Sequence, residues 1–231
     1  MTSATDRPVI QLACLDMAGT TVADDGVVDR AFDAALEEVG IGAADPARSR
    51  MTAYVRDTMG TSKIEVFRAL FGDEARAQAT NAAFEEAFAR LVGAGAVQPL
   101  PGARETIDTL RSHGIQVALT TGFSVSTRLL VLEALGWLDT ADVALSPADA
   151  GRGRPYPDMI LTALIRLGAG SVQAVAVAGD TEADMESGVR AGASVVAGVL
   201  TGSSDRSCLL AAGATHVLGS VTELPRLLGI D

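Results

Sequence analysis

Asp16 closes the apolar run Leu12 to Leu15 in "LACLDMAGTT", with Gly19, Thr20 and Thr21 behind it. A carboxylate at a strand end beside a flexible, hydroxyl-bearing turn can be a nucleophile or a metal ligand. It can equally be a turn or cap aspartate. "AVAVAGDTEADM" repeats the design: an apolar run, a glycine, Asp180, then Asp184 one helical turn later. Asp180 alone could be a helix N-cap. If the two runs are neighbouring strands, three carboxylates converge, and like charges so close repel unless a cation sits among them. An all-oxygen set of few carboxylates suits Mg²⁺ better than zinc. No His/Cys cluster competes, because His113 ends a helix before Gly114 and His216 lies in a short late strand; both read as structural.

Two further stretches favour an anion. In "ALTTGFS" the Thr121 hydroxyl and the Gly122 amide can hold a phosphate oxygen, although Thr-Gly is also an ordinary turn. In "GRGRPYPDM" two arginines stand in a Gly/Pro-rich loop before a helix, where paired N–H donors can clamp a phosphoryl group. Arg154 reads as such a clamp and Arg152 as a solvated loop residue.

These residues need a frame. Strands are predicted at Val9–Leu15, Ile115–Leu119, Val143–Leu145, Ala174–Ala178, Ser194–Val199 and Thr215–Leu218. Helices are predicted at Ala103–Ser112, Val125–Leu135, Asp158–Leu167, Glu182–Ala191 and Val221–Leu228. Strands alternating with helices argue for an α/β fold, a doubly wound parallel sheet covered on both faces. Ligands bind such sheets at the carboxyl ends of the strands, where Asp16, Thr121 and Asp180 would fall. The alternation breaks between about Asp24 and Gln98, an Ala-, Glu- and Arg-rich stretch without a strand that closes on the hinge-like "VQPLPGA". This is a helical insertion, giving a core of residues 1–23 and 99–231 and an inserted unit of residues 24–98.

With 48% hydrophobic and 20% charged residues among 231, the chain can bury a core of ordinary size. A net charge of −11 argues against nucleic acid and anionic membrane as partners. The two cysteines, Cys14 and Cys208, imply no disulfide framework. That fits a cytoplasmic location, as do the polar first residues MTSATDRP, which lack the apolar core of a signal peptide. No apolar run approaches the roughly 18 residues needed to span a bilayer.

In combination and order, the four stretches resemble the haloacid dehalogenase superfamily of aspartyl-nucleophile phosphotransferases, and the insertion resembles its helical cap. The resemblance covers nearly the whole chain. It implies a Rossmann-like core, a Mg²⁺ ion, attack by Asp16 on phosphorus and an aspartyl-phosphate intermediate. Most phosphatases of this superfamily carry a second aspartate, the general acid, two residues after the nucleophile. Here that place holds Ala18, which has no proton to give. Either the leaving group needs no proton, as with halide, or it is stabilised in another way.

The chain has one lysine, Lys63, against seventeen arginines. Ser62 and Glu65 form the S-x-x-E capping-box pattern, which predicts Lys63 in the first turn of a helix whose buried side carries Ile64, Phe67 and Phe71. A helix N-terminus disfavours a cation. With desolvation, this lowers an amine's pKa and leaves it more nucleophilic. At an ordinary pKa about one amine in a thousand is neutral near pH 7.4. Arginine, permanently protonated, cannot do imine chemistry. If the substrate is a 2-oxoalkyl phosphonate, an iminium on Lys63 accepts the electrons of the breaking C–P bond, and no acid is needed at position 18.

"DMAGTT", "MGTSK", "TTGF", "GRPYP" and "GDTEADM" each resemble motifs of the phosphonoacetaldehyde hydrolase (phosphonatase) family. By position, that resemblance implies Asp16 as nucleophile and Lys63 as Schiff-base former. It implies Asp16, the Ala18 carbonyl and Asp180 as Mg²⁺ ligands, with Asp184 orienting metal-bound water. Thr121, Gly122, Arg154 and Met59 would hold the substrate, and the chain would form a homodimer. Three positions depart from the pattern: Val66 where a histidine is usual, Met17 for Trp and Phe123 for Tyr. They point to a phosphonatase-like sister group acting on a close analogue of phosphonoacetaldehyde. The alternatives are a phosphomonoesterase of the phosphoglycolate phosphatase kind, a dehalogenase, and a non-catalytic phosphoacceptor module. Ala18 speaks against the first, and the second leaves Lys63 and the acidic pair unused.

Overall fold

A computed structural model describes residues 9–230. The first eight residues of the predicted core, MTSATDRP, and Asp231 lie outside the described residues. The strands are β1 (Leu12–Asp16), β2 (Gln116–Thr120), β3 (Val143–Leu145), β4 (Val175–Gly179), β5 (Val195–Val199) and β6 (His216–Leu218). They form one parallel sheet in the order β3-β2-β1-β4-β5-β6. The expected α/β fold is therefore present, with β1 at the centre. Its residues are all buried, as a strand covered on both faces requires.

The helices are α1 (Val27–Glu38), α2 (Arg48–Asp57), α3 (Lys63–Phe71), α4 (Glu74–Gly93), α5 (Ala103–Ser112), α6 (Val125–Ala134), α7 (Pro147–Ala150), α8 (Asp158–Leu167), α9 (Glu182–Ala191), α10 (Arg206–Ala211) and α11 (Leu224–Leu227). The first four occupy the strandless stretch between β1 and the linker before α5. Some local predictions are corrected. β1 begins at Leu12 rather than Val9, because only from there does the chain pair with β2 and β4 together. The helix predicted at Val221–Leu228 is a 3₁₀ turn followed by the short α11, with Pro225 in its first turn. α7 and α10 are too short to leave a periodic signal.

α1 and α3 pack on α4 through phenylalanines. The Phe32 ring centroid lies 4.8 Å from Phe67 and 5.0 Å from Phe84. The row continues through Phe88 to Phe123, at 4.8 Å, which belongs to the loop after β2. The aromatic centre of the inserted helices thus runs into the core just beside the strand ends. Backbone meets backbone in the same region. A β-carbon on Gly122 would stand 2.5 Å from the Thr61 carbonyl oxygen, and one on Gly60 would strike the Thr181 hydroxyl. The loop before α3 lies directly on the loops after β2 and β4.

Phe67 is fully buried and touches three other rings. Phe67→Ala is expected to destabilise the chain by about 3–5 kcal/mol, read from urea denaturation. A cost below about 1 kcal/mol would mean this cluster does not hold the inserted helices in place.

Candidate active site

Parallel pairing sets the carboxyl ends of the central strands level. Asp16 stands opposite Thr120 on β2, and Leu15 opposite Ala178 on β4, so Asp180 follows one residue past the end of β4. Asp184 is brought back by α9. Its N-cap is Thr181, which accepts from the Asp184 amide while the Asp184 carboxylate accepts from the Thr181 amide and hydroxyl. The cap reading of Asp180 therefore passes to its neighbour, and Asp180 is left for the cleft. Asp16, Asp180 and Asp184 each offer an oxygen within 4.8 Å of the others, all three buried.

The donors that hold Asp180 were not singled out from the sequence. Thr20 donates to Oδ1 at 3.2 Å; the Ser203 amide and hydroxyl donate to Oδ2 at 2.9 and 3.2 Å. Both lie in hydroxyl-rich turns after apolar strands, "GTT" and "TGSS", the same signal that marked Asp16 and Thr121.

Arg154 is buried among these carboxylates. Its Nη2 stands 2.6 Å from Asp16 Oδ1, and Nη1 pairs with Asp184. Burial alone would lower the guanidinium's pKa, but Asp16 and Asp184 hold it above its usual value. Burial pushes the Asp16 carboxyl well above the carboxylate range, against the pull of Arg154. Burial, with Asp184 adding, pushes Asp180 up to about 6. One guanidinium does not satisfy three carboxylates.

The donor set suits a divalent cation. It is all oxygen, and the Ala18 carbonyl beside it accepts no hydrogen bond among the described residues. For an anion there are orphaned donors: Arg154 Nε and Nη2 lack an aligned acceptor, and the Gly122 amide lacks one among the described residues. Thr121 is buried, and its hydroxyl oxygen accepts from the Phe123 amide at 3.2 Å. Arg152 is exposed and held by Asp158 at 2.8 Å, and it takes no part in the acidic cluster.

A cavity of 40 Å³ joins these groups. Asp16, Ala18, Met59, Lys63, Gly122 and Asp180 all line it. Lys63, Gly122 and Phe123 also line a larger groove of 630 Å³, which Arg154 borders. The sequence-derived residues therefore meet at one place, Lys63 coming from α3 and the rest mainly from the strand ends.

Lys63 is 8% exposed. Its Nζ lies 5.8 Å from the Phe32 ring centroid and 6.0 Å from that of Phe123. Burial lowers its pKa to about 8, with Asp24 opposing and Arg154 assisting. The predicted capping box is absent: Ser62 is the N-cap but makes no side-chain cap bond, and the Glu65 carboxylate accepts from Arg68 at 2.6 Å rather than from the Ser62 amide. The buried face of α3 is Lys63, Val66 and Phe67, with Ile64 and Phe71 only half-buried. Desolvation between two phenyl rings therefore depresses the amine, rather than a capped helix end.

The model of the haloacid dehalogenase-like hydrolases matches residues 10–192. The chain belongs to this family. Among curated relatives, a phosphonoacetaldehyde hydrolase from Nitratidesulfovibrio vulgaris is 32% identical over 209 residues, covering 85% of this chain and 74% of that one. Another from Parabacteroides distasonis is 35% identical over 153 residues, 55% of this chain and 57% of its own. The match thus spans less than two thirds of the length of some relatives. A ribulose-1,5-bisphosphate 5-phosphatase from Halopiger xanaduensis is 35% identical over 86 residues, 37% of this chain and 36% of its own. Among solved structures, a phosphonoacetaldehyde hydrolase-like protein from Oleispira antarctica superposes with a TM-score of 0.83 at 26% identity, covering 99% of this chain and 95% of that one. The buried acidic cluster of this family member can bind a metal ion. Among the described residues no helix is long and apolar enough to cross a membrane.

The Lys63 burial makes a stability prediction with a definite sign. Folding takes the amine from an ordinary value of 10.5 to about 8. Between those values the unfolded chain holds the proton and the folded chain gives it up, so stability rises with pH across that window. Below about 8 the cost of burying the cation is fully present. Lys63→Met is therefore expected to stabilise the chain at pH 7 by on the order of 2–3 kcal/mol, and by much less at pH 10.5. Denaturation at both pH values checks this; an equal effect at both, or destabilisation at pH 7, would contradict it.

Proposed function

We propose that this hydrolase cleaves the C–P bond of a 2-oxoalkyl phosphonate, phosphonoacetaldehyde or a close analogue, with Asp16 as nucleophile and Lys63 as Schiff-base former. The observation that carries the reading is the chain's sole lysine, desolvated to about 8 and lining one cavity with Asp16. Several relatives named phosphonoacetaldehyde hydrolase support it. In this reading residues 24–98 are a cap that delivers Lys63, and residues 1–23 with 99–231 are the catalytic core. It carries with it a homodimer and a cytoplasmic location.

Neutral Lys63 adds to the substrate aldehyde and, after loss of water, holds it as an iminium. Arg154, Thr121 and the Gly122 amide bind the phosphoryl oxygens and turn phosphorus toward Asp16; Met59 packs on the two-carbon body. The Asp16 carboxylate forms a bond to phosphorus as the C–P bond breaks, and that electron pair passes to carbon, leaving an enamine on Lys63. Protonation at carbon and hydrolysis release the aldehyde, and water cleaves the aspartyl phosphate. A divalent cation, Mg²⁺ in this proposal, would be held by Asp16, the Ala18 carbonyl and Asp180, and supplies charge neutralisation at the phosphoryl group. Asp184 holds Arg154 in place and closes the acidic side of the site.

A phosphomonoesterase is the second reading, favoured by the similarity to the ribulose bisphosphate phosphatase. The methyl of Ala18 then leaves an alkoxide without its proton donor. Phosphate release separates the two. Wild type is expected to release phosphate from phosphonoacetaldehyde in the presence of Mg²⁺, and Lys63→Arg and Asp16→Asn to fall to background. Release from phosphomonoesters alone, undiminished in Lys63→Arg, would overturn the C–P reading.

A further inference from the structure

Imine chemistry moves protons at every stage, and it needs a group near Nζ to carry them. The groups around Lys63 supply few candidates. Val66, one turn along α3, is buried and apolar, and Phe123 offers only its ring. Neither histidine lines the cavity: His113 caps α5 and His216 lies in β6. Asp16 is tied to Arg154 and committed to phosphorus, and Asp180 is held by Thr20 and Ser203. Of the carboxylates that line the small cavity with Lys63, one remains. Asp24, just before α1, lines the same small cavity as Lys63 and Asp16. Its Oδ1 accepts only the Val28 amide, at 3.2 Å, and its Oδ2 has no donor among the described residues. It makes no ion pair there.

We infer that Asp24 is the proton carrier for the Lys63 imine, an inference that rests on the reaction proposed above. As Nζ bonds to the carbonyl carbon and the C=O π pair moves to oxygen, protonated Asp24 gives its proton to that oxygen, and the carboxylate so formed takes one from the new ammonium nitrogen. Asp24 returns it to the carbinolamine hydroxyl, which leaves as water and yields the iminium. After C–P cleavage Asp24, reprotonated from solvent water, gives its proton to the enamine carbon and takes one back from the water that hydrolyses the resulting iminium. Such a carrier must gain and lose a proton readily. Burial raises the Asp24 pKa above the ordinary carboxylate value, opposed by its Val28 bond and by Lys63. Among carboxylates, Asp24 exerts the largest attraction on Lys63, ahead of Asp16 and Asp29.

Asp24→Asn and Asp24→Ser both keep an acceptor for the Val28 amide while removing the carboxylate, so at least one is expected to fold with a melting temperature near wild type. With phosphonoacetaldehyde, kcat is expected to fall on the order of 10²–10³-fold, with KM within about threefold. Added formate is expected to restore part of the rate in the variants and to leave wild type unchanged, which a merely structural role would not give. Turnover within threefold of wild type in a folded variant would overturn the inference. So would a loss matched by a rise in KM and not rescued by formate. A wild type that releases no phosphate from phosphonoacetaldehyde would instead remove the reaction on which the inference stands.

Discussion

Three carboxylates buried within 4.8 Å of one another are the constraint on which the rest of the structure depends. An uncompensated buried charge costs several kcal/mol. The fold answers with Arg154, with donors to Asp180 from Thr20 and Ser203, and with the Thr181 cap around Asp184. These groups come from four separate loops, each following a strand of the same parallel sheet. Only strands ending level could bring them together, which is why the β1–β4 pairing matters more to this site than any single helix. The charge left after Arg154 is still negative, and that is the imbalance a divalent cation removes.

The inserted helices meet a different requirement, which is to keep an amine dry. Phe32, Phe67 and Phe84 pack α1, α3 and α4 into a unit whose aromatic row reaches Phe123 on the core. Lys63 stands at that junction, and the same rings that hold the helices together desolvate its nitrogen. Two glycines let the surfaces close, Gly60 against Thr181 and Gly122 against the Thr61 carbonyl. The apolar packing and the chemistry are therefore one arrangement.

Strand-end aspartates were legible in the sequence because an apolar run ending in Gly-Asp or Leu-Asp is a local signal. The sheet was legible for the same reason, since alternation of strand and helix survives in one dimension. Lys63 stood out by composition alone, but the cause of its low pKa did not. The S-x-x-E pattern suggested a capped helix end, whereas Arg68 competes for Glu65 and the phenyl rings come from helices far apart in sequence. Thr20, Ser203 and Asp24 were missed for a common reason. Each is a short polar residue in a turn, and only the folded chain shows which turns face the cleft.

The central claim is that Lys63 and Asp16 act on one substrate in one cavity. It is tested most directly by reducing the protein with borohydride during turnover of phosphonoacetaldehyde and mapping the adduct by mass spectrometry. An N-ethyl group is expected on Lys63, from hydride addition to the iminium that forms when the enamine is protonated after C–P cleavage, in amounts that vanish in Asp16→Asn. An unmodified Lys63 in protein that is releasing phosphate would contradict it.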